Sequence, residues 1–389
     1  MKKLLLLTAI AIIATLSCTA QTYINQANGD TLKLFPKKTA ITPPPVVVAP
    51  PTTDISALNA QEQSFDNIWY ANGSAAVGGE VNKLNTKKGG VDINYHGRTS
   101  KPGPTWPPVA IDGKLPIMVD PYALEFNNRL STQYESDQIT PIAPPYEKWW
   151  ISRTMPSATY EALFEDGAGY VANNGGDGVR ILNAQIGQIP GAKWPATFET
   201  HIGRLVVLNS NTGSLYFDNV YQGQVSISGA NYSQSFFNVG VITNNMDLDF
   251  MAMYFKKGKL PDSDATAIYT SLASKWAVGS IPNQILINNL GWTKTSGKSP
   301  VYTPQATVVN VPNGVKVADP SKWDYQWIWW QQSTYLGVQT IFSTKYQITL
   351  ADLPAGYANI QGLNIKLRIR PKDTNGNSWR WFESNGQPY

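Results

Sequence analysis

Leu248-Asp249-Phe250-Met251-Ala252-Met253-Tyr254, then Leu260-Pro261-Asp262-Ser263-Asp264-Ala265, then Leu272-Ala273-Ser274-Lys275-Trp276, is the stretch on which the fold turns. Its first part reads as a strand. Pro261, a capping side chain and acidic residues in the first turn then open a helix. Ala265, Ile268, Leu272 and Trp276 recur at helical spacing and form one apolar stripe. The helix therefore runs about three to four turns and closes a sheet by packing its stripe against it.

The neighbouring stretches agree. Leu205-Val206-Val207-Leu208, Ser214-Leu215-Tyr216-Phe217 and Gln224-Val225-Ser226-Ile227 read as short strands, and Asn209-Ser210-Asn211-Thr212-Gly213 as a hairpin loop. Short strands at such spacing over residues 61–280 indicate a sandwich or barrel. The chain holds 31 Gly, 27 Pro, 13 Trp and 19 Tyr and is only 15% charged, a composition that suits strands and turns. The expected class is all-β, in two domains each able to bury a core.

Residues 1–20, MKKLLLLTAIAIIATLSCTA, read as an export signal, with Lys2 and Lys3 before an apolar run too short to span a membrane. Cleavage after Ala20 releases the chain, whereas cleavage before Cys18 leaves that cysteine lipidated. Thr15, where a lipoprotein signal has leucine, favours release. The expected location is extracellular or at the cell surface, with the membrane reached only through such an anchor. Residues 21–60 contain Thr42-Pro43-Pro44-Pro45 and Pro50-Pro51 and read as a disordered, proline-rich tether. Cys18 is the only cysteine, so no intramolecular disulfide and no thiolate metal site can form. The formal charge of +4 falls to +2 without Lys2 and Lys3, and no run of five like charges occurs. That argues against nucleic acid as a partner.

With Phe237-Asn238-Val239-Gly240 before it, the Leu248 strand and the helix ending in Lys275-Trp276 resemble the end of a concanavalin A-like domain of the laminin G-like type, as in bacterial and phage proteins. The Leu205–Gly223 hairpin, with Asp218-Asn219-Val220 at its turn, matches the same family. Asp120-Pro121-Tyr122-Ala123-Leu124-Glu125-Phe126 and Ala162-Leu163-Phe164-Glu165 fit its opening strands. The resemblance covers about residues 115–280 and implies a jelly-roll sandwich with one C-terminal helix over 61–280. Tyr325-Gln326-Trp327, Ile348 to Leu353 and Leu363 to Arg370 resemble bacterial immunoglobulin-like modules, Trp327 standing as the buried sandwich tryptophan. Lys372 to Asn377 is then a hairpin feeding a last strand, Ser378 to Phe382. This implies a smaller immunoglobulin-like β-sandwich over 281–389, reached through a short linker at Val278-Gly279-Ser280-Ile281-Pro282-Asn283.

Hydrolases and lyases share the concanavalin A-like fold, so chemistry has to be sought residue by residue. Asp247 and Asp249 lie on one strand face, but no third carboxylate follows and neither is glutamate, which departs from the glycosidases of this fold. Tyr254-Phe255-Lys256-Lys257-Gly258 resembles a strand of the alginate lyases, whose Gln-x-His and Arg-Glu-Arg strands are missing here. His96 and His201 are the only histidines, and neither has a second histidine at metal-ligand spacing. His201 reads as a surface or half-buried residue rather than a base. No catalytic residue is assigned and no cofactor is expected. Glu165, Asp166, Asn173 and Asp177 would supply oxygen ligands to a calcium ion, while turn chemistry accounts for the same residues.

Aromatic residues are the class in surplus. Trp106 and Trp194, flanked by prolines in loops, are the candidates for stacking on a sugar ring. Trp379 and Trp381 share a strand face that reads as packed. The reading that follows is a secreted or surface-displayed, non-enzymatic binding protein whose partner is a glycan or cell-surface polymer. The alternative is a structural or adhesive module making only protein contacts in a surface or phage assembly. A third is a polysaccharide-degrading enzyme.

Overall fold

The alternation of apolar residues is realised as antiparallel strands, with a single α-helix among the described residues, so the all-β expectation holds. The computed structural model describes residues 22–24, 31–33, 57–71, 81, 83–89, 93–95, 111, 117–119, 130–131, 143–155, 161–166, 169–173, 179–182, 188–189, 192, 194–209, 212–226, 238–239, 248–282, 284–309, 317–331, 340–353, 355–356, 363–372, 378–385 and 387–388. Two units are distinguished, Met1–Pro50 and Pro51–Tyr389. In the first, β1 (Thr22–Ile24) pairs antiparallel with β2 (Thr31–Lys33), a short ladder inside the stretch read as a disordered tether. Cys18 lies outside the described residues.

The second unit begins with β3 (Asn67–Tyr70), β4 (Lys83–Lys88), β5 (Ile93–Tyr95), β6 (Ile117–Val119), β7 (Leu130–Ser131) and β8 (Tyr146–Thr154). It continues with β9 (Glu161–Asp166), β10 (Gly169–Asn173), β11 (Val179–Leu182), β12 (Gln188–Ile189), β13 (Thr200–Asn209), β14 (Thr212–Phe217) and β15 (Val220–Ser226). Then come β16 (Asn238–Val239), β17 (Leu248–Lys257) and the helix α1 (Asp262–Trp276). The last part holds β18 (Leu286–Lys294), β19 (Val301–Val309), β20 (Trp323–Gln331), β21 (Thr340–Ser343), β22 (Ile348–Thr349), β23 (Leu363–Pro371), β24 (Phe382–Glu383) and β25 (Gln387–Pro388).

The large sheet runs β15-β14-β13-β8-β17-β3-β4-β5-β7-β16, and β6 pairs with the start of β17. β17 is therefore central, with β8 on one edge and β3 on the other. Its burial on both faces explains the near-continuous apolar run from Leu248 to Phe255. One face is covered by α1. Ala265, Ile268, Leu272 and Trp276 pack on Ile68, Tyr70, Trp149, Ile151, Ile202 and Tyr254. Each large side chain buried there contributes about 1.5–3 kcal/mol. The expected capping side chain is absent: Pro261 occupies the N-cap and offers no acceptor. Asp262 and Asp264 complement the helix dipole in its place. The helix ends at Ala277, whose φ of +52° turns the chain so that Val278 N donates to Ala273 O at 3.0 Å.

Beneath the helix lies an ion pair that periodicity does not announce. The Lys275 ammonium, 5% exposed, donates to Glu62 Oε2 at 2.8 Å, to Tyr70 Oη at 2.6 Å and to Ala57 O at 2.7 Å. The Glu62 carboxylate also accepts from the hydroxyls of Tyr70 and Tyr254 and from Asn59 N. Trp276 Nε1 donates to Tyr254 Oη at 2.9 Å and closes the network. Such a pair is tolerable in a core only because the carboxylate and its ammonium partner are both held by additional hydrogen bonds. On the sheet's opposite face Trp150 lies across Gly203: a Cβ there would stand 1.9 Å from Trp150 Cζ2.

The last strands form two further sheets, β18-β19-β22 and β21-β20-β23-β24, with β25 also on β23. Leu286, Ile287, Tyr302 and Ile348 from one sheet and Trp323, Tyr325, Trp327, Ile365, Leu367, Ile369 and Phe382 from the other share one core, so these sheets form a sandwich. Trp327 is fully buried there, and its Nε1 donates to Lys345 O at 3.0 Å.

The stretch expected to be a short linker keeps Gly279 and Ile281 exposed but is tied to the start of β13 by backbone hydrogen bonds. Gly279 N donates to Thr200 O at 2.8 Å, and Thr200 N to Ser280 O at 3.2 Å. Met155 and Phe198, from the large-sheet part, belong to the core of the last sandwich. Phe198 has φ +71°, a backbone cost of about 1–3 kcal/mol for a bulky residue, offset by burial of its ring. Asp249, fully buried, joins the same parts: it accepts from Arg153 Nη1 at 2.9 Å, from Gln284 Nε2 at 3.1 Å and from Arg380 Nη2.

Candidate functional site

The alternation along β20 creates the site. Trp323, Tyr325 and Trp327 point into the sandwich core, so Asp324 and Gln326 point to the other face. In the antiparallel partner β23, Arg370 stands opposite Asp324 and Arg368 opposite Gln326. That face therefore carries charge, and beside it opens a cavity of about 400 Å³ lined by Asp324, Gln326, Arg370, Lys372 and Trp381 together with Trp323, Tyr325 and Tyr346, which also pack in or against the core.

Its floor is an ordered charge cluster. Asp324 Oδ2 accepts from Arg370 Nε and from Ser378 Oγ, each at 2.9 Å, while Oδ1 meets Lys372 Nζ at 2.9 Å. Burial lifts the Asp324 pKa, but these three donors outweigh it and hold the carboxyl below its usual value. The group is an ionised acceptor at neutral pH, not a proton donor. Trp381 forms one wall, half-buried, with the Arg370 guanidinium 4.5 Å from its ring centroid. Tyr346 forms another, tilted against Tyr325 at 5.3 Å. The Tyr325 hydroxyl donates to Val317 O at 2.5 Å, and burial raises its pKa well above the usual value. Aromatic walls around a fixed fan of donors and acceptors can hold a hydroxyl-rich ring by its apolar face in one orientation. The cavity lies within the range of about 300–1,000 Å³ usual for small-molecule sites.

The residues singled out from sequence lie elsewhere. Trp194 is half-buried, edge-on to Phe217 with centroids 5.1 Å apart. It lines, with Trp150, His201 and Phe217, a gap of about 10 Å³, which would barely hold one water. Trp106, Asp177, His96 and Asp247 lie outside the described residues. Glu165 and Asp166 sit at one end of the β9–β10 hairpin and Asn173 at the other, Asn173 pairing with Glu161. Among the described residues no group of three or more His, Cys, Asp or Glu side chains could hold a metal ion. His201 bridges Asp218 Oδ2 at 2.6 Å and Ala196 O at 2.9 Å. Asp249, the carboxylate noted on the central strand, is fully buried and held by Arg153 and Arg380.

Trp381 was read as packed, and the structure leaves it half-exposed beside charge. The signal was present in Trp323-Asp324-Tyr325-Gln326-Trp327 and Lys366-Leu367-Arg368-Ile369-Arg370, two strict alternations with polar residues on one face each. What the sequence did not contain was that the two faces are the same face.

No family model matches this chain, and no curated protein matches it. Among solved structures it is similar to the binding domain of Paraclostridial Mosquitocidal Protein 1, at 12% identity and a TM-score of 0.38, over 84% of this chain and 93% of that one. It is also similar to the receptor-binding domain of botulinum neurotoxin D, at 10% identity and a TM-score of 0.37, over 85% and 81%. A third likeness is to Trypanosoma rangeli sialidase in complex with sialic acid, at 11% identity and a TM-score of 0.35, covering 55% of this chain and only 34% of the sialidase. At these identities and TM-scores the likenesses carry no argument about what this chain binds.

Proposed function

We propose that this chain is a secreted or surface-displayed, non-enzymatic binding protein for a glycan or surface polymer, and that the cavity between Trp381 and Tyr346 is its binding site. The observation that carries this reading is the cavity itself: aromatic walls around Asp324, Arg370, Lys372 and Gln326 in about 400 Å³. Among the described residues that line it Asp324 is the one carboxylate, whereas glycoside hydrolysis ordinarily calls for a pair, which supports binding over turnover. In this reading the last sandwich is of immunoglobulin type, supported by its strand order of β18-β19-β22 over β21-β20-β23-β24 and by the buried Trp327. The large sheet with its closing helix is read as the concanavalin A-like part, and serves as the rigid base to which the binding sandwich is fastened.

The test is a glycan and polysaccharide array probed with the full chain and with Trp381→Ala. The expected result is binding that Trp381→Ala abolishes without moving the unfolding midpoint. Binding unchanged in Trp381→Ala would show that the cavity is not the binding site. A silent array together with self-association would favour the structural or adhesive alternative, for which Val220 and Tyr221, 61% and 54% exposed after the β14–β15 turn, are the surface observation. Release of reducing ends from any polymer would revive the enzymatic reading.

A further inference from the structure

Among the described residues that line the cavity, the charges do not balance. Arg370 and Lys372 share the one carboxylate among them, that of Asp324, which leaves one positive charge in excess. Next to lining residues in the sequence, Asp319 and Lys322 flank Pro320 with one charge of each sign, and Lys345 beside Tyr346 is paired with Asp352. Two features give that excess a direction. Arg370 gives Asp324 only its Nε, and the stack on Trp381 holds the guanidinium plane in place. Its Nη groups are thus a ready fork for a second planar oxyanion, the geometry at which arginine outperforms lysine. Lys372 contributes an ammonium with further donor directions beyond its one contact to Asp324. Beside the fork stand Tyr346 and Trp381, which suit the apolar face of a ring, and Gln326, which suits hydroxyls.

Building on the proposed glycan-binding reading, we infer that the ligand of this cavity is a carboxylated sugar, with the carboxylate on Arg370 and Lys372 and the ring against Trp381 and Tyr346. Asp324 has a defined part: it orients both cations, and it repels the ligand's carboxylate from its own end of the cluster. A neutral sugar would fill the same walls and leave the excess cation unanswered, at a loss of the charge-assisted bonds.

The test compares charge at constant ring structure. Polygalacturonate, its fully methyl-esterified form, alginate, hyaluronan and dextran sulfate are titrated against the full chain and against Trp381→Ala, Lys372→Met and Arg370→Lys. The expected result is that at least one carboxylated polymer binds and that esterification weakens polygalacturonate, if it is the one bound, by about tenfold or more. For the polymer that binds, Lys372→Met should weaken binding to a similar degree. Arg370→Lys, which keeps the charge and removes the fork, should also weaken it, and Trp381→Ala should abolish it. Neutral and carboxylated polymers bound equally, with loss in Trp381→Ala, would overturn the charge inference and leave the binding site standing. Dextran sulfate bound as tightly as the carboxylated polymers, or unaffected by Arg370→Lys, would overturn the carboxylate assignment. No binding by any carboxylated polymer, while the array finds a neutral ligand, overturns the inference alone. No binding to any saccharide overturns both readings.

Discussion

Replacing Lys275 by methionine removes the ammonium from the buried network under α1 and leaves the rest of the side chain's volume in place. The Glu62 carboxylate, fully buried, would keep its bonds from Tyr70, Tyr254 and Asn59 N but lose its one cation partner among the described residues. Breaking a buried pair from one side costs about 3–5 kcal/mol, because the remaining charge is stranded away from water. Tyr70 Oη and Ala57 O lose a donor in the same step, which places the expected loss in the upper half of that range. The partner variant Glu62→Gln strands the ammonium, and the double variant Glu62→Gln/Lys275→Met strands neither. Urea unfolding followed by tryptophan fluorescence, with Trp276 in the network as a reporter, gives all four stabilities. The double variant should be more stable than the sum of the single losses predicts, by about 1–3 kcal/mol. A loss under about 1 kcal/mol in Lys275→Met, or strict additivity, would refute the reading of this pair as a coupled buried interaction beneath α1.

Gly203→Ala should destabilise the large sheet by about 1–3 kcal/mol, because the new Cβ meets the Trp150 indole at 1.9–2.6 Å and the ring has no room to retreat; an unchanged urea midpoint would show that it does. His201 makes stability depend on pH. Burial pulls its pKa down, but Asp218 and the Ala196 carbonyl outweigh that and set it above the ordinary 6.5. A raised pKa stabilises fully below 6.5, and the contribution fades as pH rises through the folded value. The melting temperature should therefore fall over that window, and the slope should flatten in His201→Gln; parallel curves for the two proteins would refute it.

The junction is fastened by side chains rather than by the connecting stretch itself, which leaves Gly279 and Ile281 exposed. Phe198 reaches into the core of the last sandwich, and Arg380 reaches back to Asp249 on the large sheet.

Periodicity alone determined much of this molecule. The stripe Ala265, Ile268, Leu272 and Trp276 specified a helix and its buried face, because an α-helix brings residues three and four apart to one side whatever it packs against. The likeness of Tyr325-Gln326-Trp327 to an immunoglobulin-type strand, and not periodicity, pointed to a buried Trp327, and the structure buries it. Proline context singled out Trp194, and there local reasoning ended: a loop tryptophan is exposed only if nothing folds over it, and Phe217 does. The remaining decisions are long-range. Glu62 and Lys275 are 213 residues apart, Asp249 and Arg380 are 131, and Asp324 and Arg370 are 46. In each case the sequence shows a polar residue, and only the pairing of sheets and cores decides which charge it meets. The cavity beside Trp381 belongs to the same class, since its walls come from β20, β23 and the segments after β21 and before β24, and no local pattern states that they converge.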